Sequence, residues 1–253
     1  MAGNWKMYKT PAETRAFFEA FRPLVQAASH CEIVICPPFP DLPAAVESAR
    51  GANIRIGAQN LYWVREGAFT GEVSGPMIRA AGATHVIIGH SERRQYFGET
   101  DETVLKKTVA ALDAALTPIV CVGELLEHRE AGQTEAVLCR QCQEGIARLD
   151  AQQFAKIVIA YEPVWAIGTG KNAGPAEAQA VHHAIRAWLV EASAGLASRT
   201  RILYGGSVKP DNAQSLLAAP DVDGALVGGA SLDAASFGAI ARAAEALAAS
   251  STE

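Results

Sequence analysis

Residues 157–175 read IVIAYEPVWAIGTGKNAGP, and this stretch contains the pattern that organises the whole chain. Its first five residues are apolar or aromatic without polar alternation, and they end at a lone carboxylate, Glu162. A short continuous apolar run of this kind is typical of a strand covered on both faces, as in a parallel sheet. The segment after Glu162 carries a tryptophan and several glycines, which permit unusual backbone dihedrals. The pattern therefore predicts a buried strand with an acid at its carboxyl end, followed by a segment able to change shape.

Runs of the same kind recur along the chain and alternate with helical patterns. The expected strands are residues 2–7, 33–36, 54–58, 85–88, 118–122, 157–161, 201–204 and 224–227. Thr10, Pro11 and Glu13 fit an N-cap, a first-turn proline and a capping box between the first two strands. Eight strand–helix units in 253 residues match a (β/α)₈ barrel. We expect a single α/β barrel domain over 1–253; a doubly wound nucleotide-binding sheet is disfavoured because no glycine fingerprint follows the first strand.

The charge and hydropathy patterns exclude several classes of partner. The formal net charge is −5, and no basic block is dense enough to predict binding to nucleic acid or to an anionic membrane. No apolar stretch approaches the length of a membrane span, and the start MAGNWKMYKT lacks the apolar region of a signal peptide. We therefore expect a cytoplasmic protein.

The five cysteines are odd in number and irregularly spaced, which favours reduced thiols over a disulfide framework. Cys139 and Cys142 form a C-x-x-C, a spacing found in redox pairs and half metal sites. However, Cys142 shares helical spacing with Leu138 and Ile146, so we expect it in the core of a helix. No second cysteine pair or histidine cluster accompanies them, and no metal site is predicted.

Polar residues at the carboxyl ends of the strands indicate the function, because that end carries the active site in (β/α)₈ barrels. Small residues follow the last two strands, at Gly205-Gly206-Ser207 and at Gly228-Gly229. Such residues let backbone N–H groups approach a ligand, and the loops after strands seven and eight are the usual phosphate site of this barrel. The sequence therefore predicts a ligand that carries a phosphate.

Four further residues fall at the same end of the barrel: Asn4, Lys6, His90 and Glu162. A desolvated carboxylate such as Glu162 can remove a proton next to a carbonyl, and the enediolate that forms needs a hydrogen-bond donor. His90 opens a predicted helical turn, so we expect it to act as a neutral donor, with Lys6 and Asn4 adding charge and polarity. Singly, each residue fits a structural role better than a catalytic one; together they fit proton transfer between adjacent carbons.

This chemistry predicts a role for the segment after Glu162. An enediolate phosphate can eliminate its phosphate in water, and a lid over residues 163–173 would suppress that reaction. Gly168 would offer an N–H group to the phosphate, and Glu162 at the root of the lid would be placed by closure.

In their order along the chain, these residues resemble the triosephosphate isomerase family over essentially the whole length. The matching motifs are residues 3–7, 58–60, 67–72, 88–94, 121–124, 160–171, 204–208 and 227–230. The resemblance implies the TIM barrel and the interconversion of dihydroxyacetone phosphate and glyceraldehyde 3-phosphate, a cytoplasmic step of glycolysis and gluconeogenesis. It implies neither cofactor nor metal.

The resemblance also implies roles for individual residues. Glu162 would be the base, His90 the electrophile and Lys6 a further catalytic and substrate-binding residue, with Ser91 and Glu92 in support. The expected substrate and phosphate contacts are Asn4, Lys6, Gly168, Ser207, Gly228 and Gly229. The family is typically a homodimer, in which loop 59–75 would reach the partner with Thr70 near the partner's site and with Tyr62 and Trp63 exposed.

Two departures from the family pattern lead to further expectations. Only Met1 and Ala2 precede Gly3; a true short start would leave a ragged barrel edge beside Asn4 and Lys6, and a mis-assigned start codon would explain the short first strand as well. Gly174 stands where the family usually has a small hydroxyl residue, so we expect altered lid kinetics. Another sugar-phosphate barrel enzyme, or a non-catalytic phosphate-binding descendant, remains an alternative.

Overall fold

The computed structural model describes residues 1–167, 173–192 and 199–250, with the backbone only for 248–250. Within these residues, eight parallel strands close into one barrel in sequence order, which confirms the predicted fold. The strands are β1 Ala2–Asn4, β2 Ile33–Cys36, β3 Ile54–Ala58, β4 His85–Ile88, β5 Thr117–Val122, β6 Val158–Tyr161, β7 Arg201–Tyr204 and β8 Gly224–Val227. Apart from β1, the predicted bounds hold to within one residue.

Helices surround the barrel. They are α1 Pro11–Val25, α2 Leu42–Ala49, α3 Gly75–Ala80, α4 Ser91–Phe97, α5 Asp101–Asp113, α6 Leu126–Glu130, α7 Thr134–Gly145, α8 Ala151–Phe154, α9 Pro175–Ala192, α10 Ala213–Leu217 and α11 Ala234–Ser250. The capping box of α1 forms as predicted, because Glu13 donates its N–H to the Thr10 hydroxyl and returns its carboxylate to the Thr10 N–H. No helix among the described residues is long and apolar enough to cross a membrane.

The apolar core has two layers. The larger one packs strands against helices, and a smaller cluster takes alternate residues from the strands, such as Val158 and Ala160 of β6. Because side chains alternate across a strand, this smaller set fills the barrel interior. One step further along six of these inward series lie Asn4, Gly89, Gly123, Glu162, Gly205 and Gly228. The alternation thus places polar groups and glycines at the carboxyl mouth.

The first strand corrects the prediction, since it ends at Asn4 and not at residue 7. Lys6 has a positive φ of 51°, and its N–H donates to the Asn4 side-chain oxygen at 3.0 Å. This local turn breaks the extended backbone. The expected ragged edge is also wrong: Ala2 and Gly3 pair with both β2 and β8.

The C-x-x-C pair behaves as the helical spacing predicts. Cys142 is buried on α7 and Cys139 is exposed, and all five cysteines are free thiols. Burial raises the pKa of the Cys142 thiol to about 12, so this sulfur has little thiolate character near neutral pH.

Candidate functional site

A cavity of about 710 Å³ opens at the carboxyl ends of the strands. It gathers most of the residues that the sequence singles out: Asn4, Lys6, His90, Glu162, Ser207, Gly228 and Gly229. Lys209, Asp211 and Ser236 also line it, and sequence reasoning did not select them. Gly168 lies outside the described residues. The predicted polar and glycine-rich groups therefore share one cavity.

Glu162 is buried, with 2% of its surface exposed, and is held by three hydrogen-bonding groups. Ser91 donates its N–H to one carboxylate oxygen and its hydroxyl to the other, each at 2.9 Å. The Nε2 atom of His90 lies 3.0 Å from Oε1 of the same carboxylate. The Glu162 carboxylate is therefore hydrogen-bonded to the first residues of α4 and its N-cap.

The position of His90 fixes which ring nitrogen can donate. His90 is the N-cap of α4, and its Nδ1 accepts the Glu92 N–H at 3.2 Å. An Nδ1 that accepts a hydrogen bond carries no proton, so the neutral ring bears its proton on Nε2. That Nε2–H faces Glu162 and the cavity.

Lys6 brings a positive charge to the mouth of the barrel. Its Nζ lies 2.5 Å from Oε1 of Glu92, and the side chain is 28% exposed. Gln59 donates to the Lys6 carbonyl oxygen at 2.8 Å and to the Cys36 carbonyl oxygen at 2.9 Å. The left-handed backbone of Lys6 is therefore braced from the loop after β3, and the ammonium group borders the cavity.

Glu124 anchors the start of the segment after Glu162. The hydroxyl of Tyr161 and the indole N–H of Trp165 both donate to its Oε1, at 3.0 and 2.9 Å. The Arg129 guanidinium stacks 4.3 Å from the Trp165 ring centroid. Burial raises the pKa of the Glu124 carboxyl, although both donors favour its charged form. Trp165 is buried by this arrangement and not left on a surface loop.

The far end of the same segment is tied down as well. Tyr204 donates its hydroxyl to the Ala173 carbonyl at 3.2 Å, and Gly174 donates its N–H to Glu177 at 2.7 Å. Arg129 bonds the other Glu177 oxygen at 2.9 Å. Arg129 therefore contacts groups at both ends of the segment, an arrangement that the sequence did not reveal.

The glycines after β7 and β8 differ in what requires them. A Cβ on Gly205 would lie 2.9 Å from the Tyr161 carbonyl oxygen, and one on Gly206 would lie 2.2 Å from the Tyr204 hydroxyl. At Gly228 the nearest atom would be Lys6 Cε at 3.6 Å, and at Gly229 nothing lies within 4 Å. Packing explains the first pair, whereas the second pair borders open cavity.

The loop 59–75 only partly follows expectation. Tyr62 and Trp63 are half-buried and pack against each other with ring centroids 4.2 Å apart, so their expected exposure is wrong. Phe69 packs against Tyr62 with ring centroids 4.7 Å apart in a tilted arrangement, and it is 42% exposed. Among the described residues, no three His, Cys, Asp or Glu side chains are grouped as metal ligands.

Comparison with known proteins supports one family throughout. The family model described as "Triosephosphate isomerase" matches residues 1–244. The triosephosphate isomerase of Solibacter usitatus (strain Ellin6076) is 69% identical over 241 residues, covering 95% of this chain and 97% of that protein. That of Moorella thermoacetica is 58% identical over 240 residues, covering 95% and 96%. The crystal structure of triosephosphate isomerase from Bartonella henselae aligns with a TM-score of 0.88 at 40% identity, over 96% and 97% of the two chains.

Proposed function

The chain belongs to the triosephosphate isomerase family, and we propose that Glu162 is the base and His90 the electrophile of its reaction. That reaction interconverts dihydroxyacetone phosphate and D-glyceraldehyde 3-phosphate. The two isomers have the same overall oxidation level, so the conversion needs only two proton transfers, one between adjacent carbons and one between their oxygens. We take residues 1–253 as one catalytic barrel domain.

The single observation that carries the role assignment is the 3.0 Å contact between His90 Nε2 and Glu162 Oε1. The donor and the base are in direct contact, and both line the cavity that a small substrate must enter. The substrate carbonyl oxygen then takes the Nε2–H, and the carboxylate meets the neighbouring C–H bond. Glu162 must exchange its Ser91 hydrogen bonds for that position.

The chemical steps follow from these positions. Glu162 removes a proton from C1 of dihydroxyacetone phosphate, and the C–H electron pair forms the enediolate double bond. The negative charge that develops on the C2 oxygen is stabilised by the His90 Nε2–H. The same carboxyl group then returns the proton to C2. The C2 oxygen takes the Nε2 proton of His90 and becomes a hydroxyl, while the C1 hydroxyl gives its proton to Nε2 and becomes the aldehyde oxygen.

Lys6 supplies positive charge near the developing oxyanion, and Asn4 supplies amide polarity. Glu92 supports Lys6 through the 2.5 Å ion pair, and Ser91 supports Glu162 between turnovers. Because Lys6 and Asn4 line the cavity with His90, both are assigned to substrate binding. Lys6 is assigned to catalysis as well.

The phosphate group is assigned to main-chain groups at Ser207, Gly228 and Gly229, with Gly168 added on closure of the lid, residues 163–173. Support comes from the open space beside Gly228 and Gly229, where an added Cβ would meet only Lys6 Cε at 3.6 Å at the first glycine and no atom within 4 Å at the second. A closed lid would exclude water and keep the enediolate phosphate from losing its phosphate.

We also propose a homodimer formed through loop 59–75, with Thr70 near the partner's site. Support comes from exposed apolar side chains on or near the loops after β1, β3 and β4: Met7, Tyr8, Phe69, Met77, Tyr96 and Phe97. Exposed aromatic and methionine side chains of this kind are enriched at protein–protein interfaces. The enzyme is placed in the cytoplasm, in glycolysis and gluconeogenesis.

The test is proton NMR of dihydroxyacetone phosphate in D₂O with the wild type, Glu162→Gln and the exposed control Glu19→Gln. The wild type and the control should form glyceraldehyde 3-phosphate with solvent deuterium at C2. Glu162→Gln should lose at least ~10²- to 10⁴-fold in rate while remaining folded. Full turnover by Glu162→Gln would refute the assignment of the base.

A further inference from the structure

Gln141 of α7 holds the backbone of a residue that lies beside the proposed base. Its Oε1 accepts the Gly123 N–H at 2.8 Å, and its Nε2 donates to the Gly123 carbonyl at 3.0 Å. Gln141 is 7% exposed. Since β5 ends at Val122, these two main-chain groups have left the strand ladder, and one side chain satisfies both.

Gly123 in turn limits where the main chain of Glu162 can lie. A Cβ on Gly123 would come within 1.9 Å of the Glu162 carbonyl oxygen and 3.2 Å of its Cβ. The Glu162 N–H donates to the Val122 carbonyl at 2.7 Å. The backbone of the base therefore rests directly on the Val122–Gly123 segment, and a shift of Gly123 moves Glu162.

Packing does not fix Gly123 from its other side. A cavity of about 690 Å³ is lined by Gly123, Gln141 and Glu162, on the α7 side of the barrel wall. Because this side of Gly123 faces a cavity and not close-packed side chains, the two hydrogen bonds from Gln141 hold the Gly123 backbone in place.

We propose that Gln141 is a positioning residue for the isomerisation, acting on Glu162 through Gly123. The inference rests on the proposed role of Glu162. Because proton abstraction depends steeply on the placement of the base, whereas phosphate binding does not involve this side of the cavity, loss of Gln141 should lower kcat and leave KM unchanged. A displacement near 1 Å corresponds to a fall of ~10- to 100-fold in kcat.

The experiment compares Gln141→Met, which removes both hydrogen bonds at similar volume, with Gln143→Met, an exposed position on the same helix. Steady-state kinetics, inhibition by inorganic phosphate and thermal unfolding are measured for each. Gln141→Met should lose ~10-fold or more in kcat, with KM and phosphate inhibition within twofold of wild type. Gln143→Met should match wild type. Unchanged kcat in folded Gln141→Met would overturn the inference.

A second pair of variants separates positioning from general loosening. In a Glu162→Gln background, Gln141→Met should change the residual rate by less than twofold, because its effect passes through the base. If Gln141→Met lowered the residual rate of Glu162→Gln by the same factor as it lowers the wild-type kcat, the inference would be overturned and the role of Glu162 would stand. If Gln141→Met does not fold, Gln141→Glu keeps the acceptor for the Gly123 N–H and should show an intermediate kcat; a wild-type kcat there would count against the proposal.

Discussion

The base side of the cavity, formed by Lys6, His90, Ser91, Glu92 and Glu162, is built from side chains that bond one another. The phosphate loops, residues 205–207 and 228–230, are built from main chain and small residues. On the base side, for example, Glu162 accepts two hydrogen bonds from Ser91 and contacts His90. In the phosphate loops, a Cβ at Gly229 would meet nothing within 4 Å.

This contrast predicts two kinds of failure. A single substitution on the base side removes a functional group and should lower kcat. A single substitution in the phosphate loops changes shape and should raise KM or lower stability, because no side-chain chemistry is lost there.

After Glu162→Gln, the largest effect is expected for His90→Asn. Asparagine is a favoured N-cap, so the cap to the Glu92 N–H is kept while the Nε2–H is lost. Removal of one donor to a developing oxyanion lowers kcat by ~10²- to 10³-fold. Kinetics in both directions should show KM within a few-fold of wild type, and exposed His30→Asn serves as the control. A kcat within threefold of wild type would remove His90 from the mechanism.

The next effect concerns the junction between the two sides. His182 of α9 lies between Tyr161 and Tyr204, with ring centroids 5.9 and 6.3 Å away. Burial lowers its pKa to about 4, although the Asp221 carbonyl and nearby Asp223 favour the charged form. Because the pKa of His182 is lower in the folded than in the unfolded protein, folding favours the neutral ring. The contribution of His182 to stability is therefore fully present above pH 6.5 and is lost as pH falls toward 4.

The shift corresponds to about 3 kcal/mol of unfolding free energy, of which about 2 kcal/mol is lost by pH 5. Urea unfolding at pH 7 and pH 5 measures it. His182→Gln should weaken the acid dependence by that amount, and the remaining dependence should include His85, whose pKa burial also lowers to about 4. An identical pH slope in His182→Gln would show that this histidine titrates normally.

A pair of glycine substitutions sharpens the description of the phosphate loops. Gly206→Ala forces a Cβ to 2.2 Å from the hydroxyl of buried Tyr204, so unfolding free energy should fall by about 1–3 kcal/mol. Gly229→Ala meets no protein atom, so stability should hold while KM rises by ~10-fold, the effect of about 1.4 kcal/mol. Thermal unfolding and steady-state kinetics on both variants decide it. Equal KM changes would contradict the assignment of Gly229 to the phosphate.

Sequence patterns located the strands because buried parallel strands are continuous apolar runs, and strand ends then located the cavity. The same patterns misplaced the end of β1, because no residue type in this stretch predicts the left-handed backbone of Lys6. They also missed Gln141 and Arg129. Gln141 bonds a residue 18 positions away and Arg129 one 48 positions away, so no local periodicity pairs them. These hydrogen bonds depend on how the helices pack against the barrel in three dimensions.

The smallest effect is expected at Asn212, which clamps the phosphate loop much as Gln141 clamps Gly123. Its Oδ1 accepts the Lys209 N–H at 2.8 Å and its Nδ2 donates to the Ser207 carbonyl at 3.0 Å. Asn212→Ala loosens a main-chain binding surface, so KM and the inhibition constant of inorganic phosphate should rise by ~3-fold with kcat unchanged. Asn53→Ala, an exposed asparagine that bonds a distant carbonyl, is the control. A kcat loss in Asn212→Ala would mean that the phosphate loops also place the reacting carbons, and the division between the two sides would then fail.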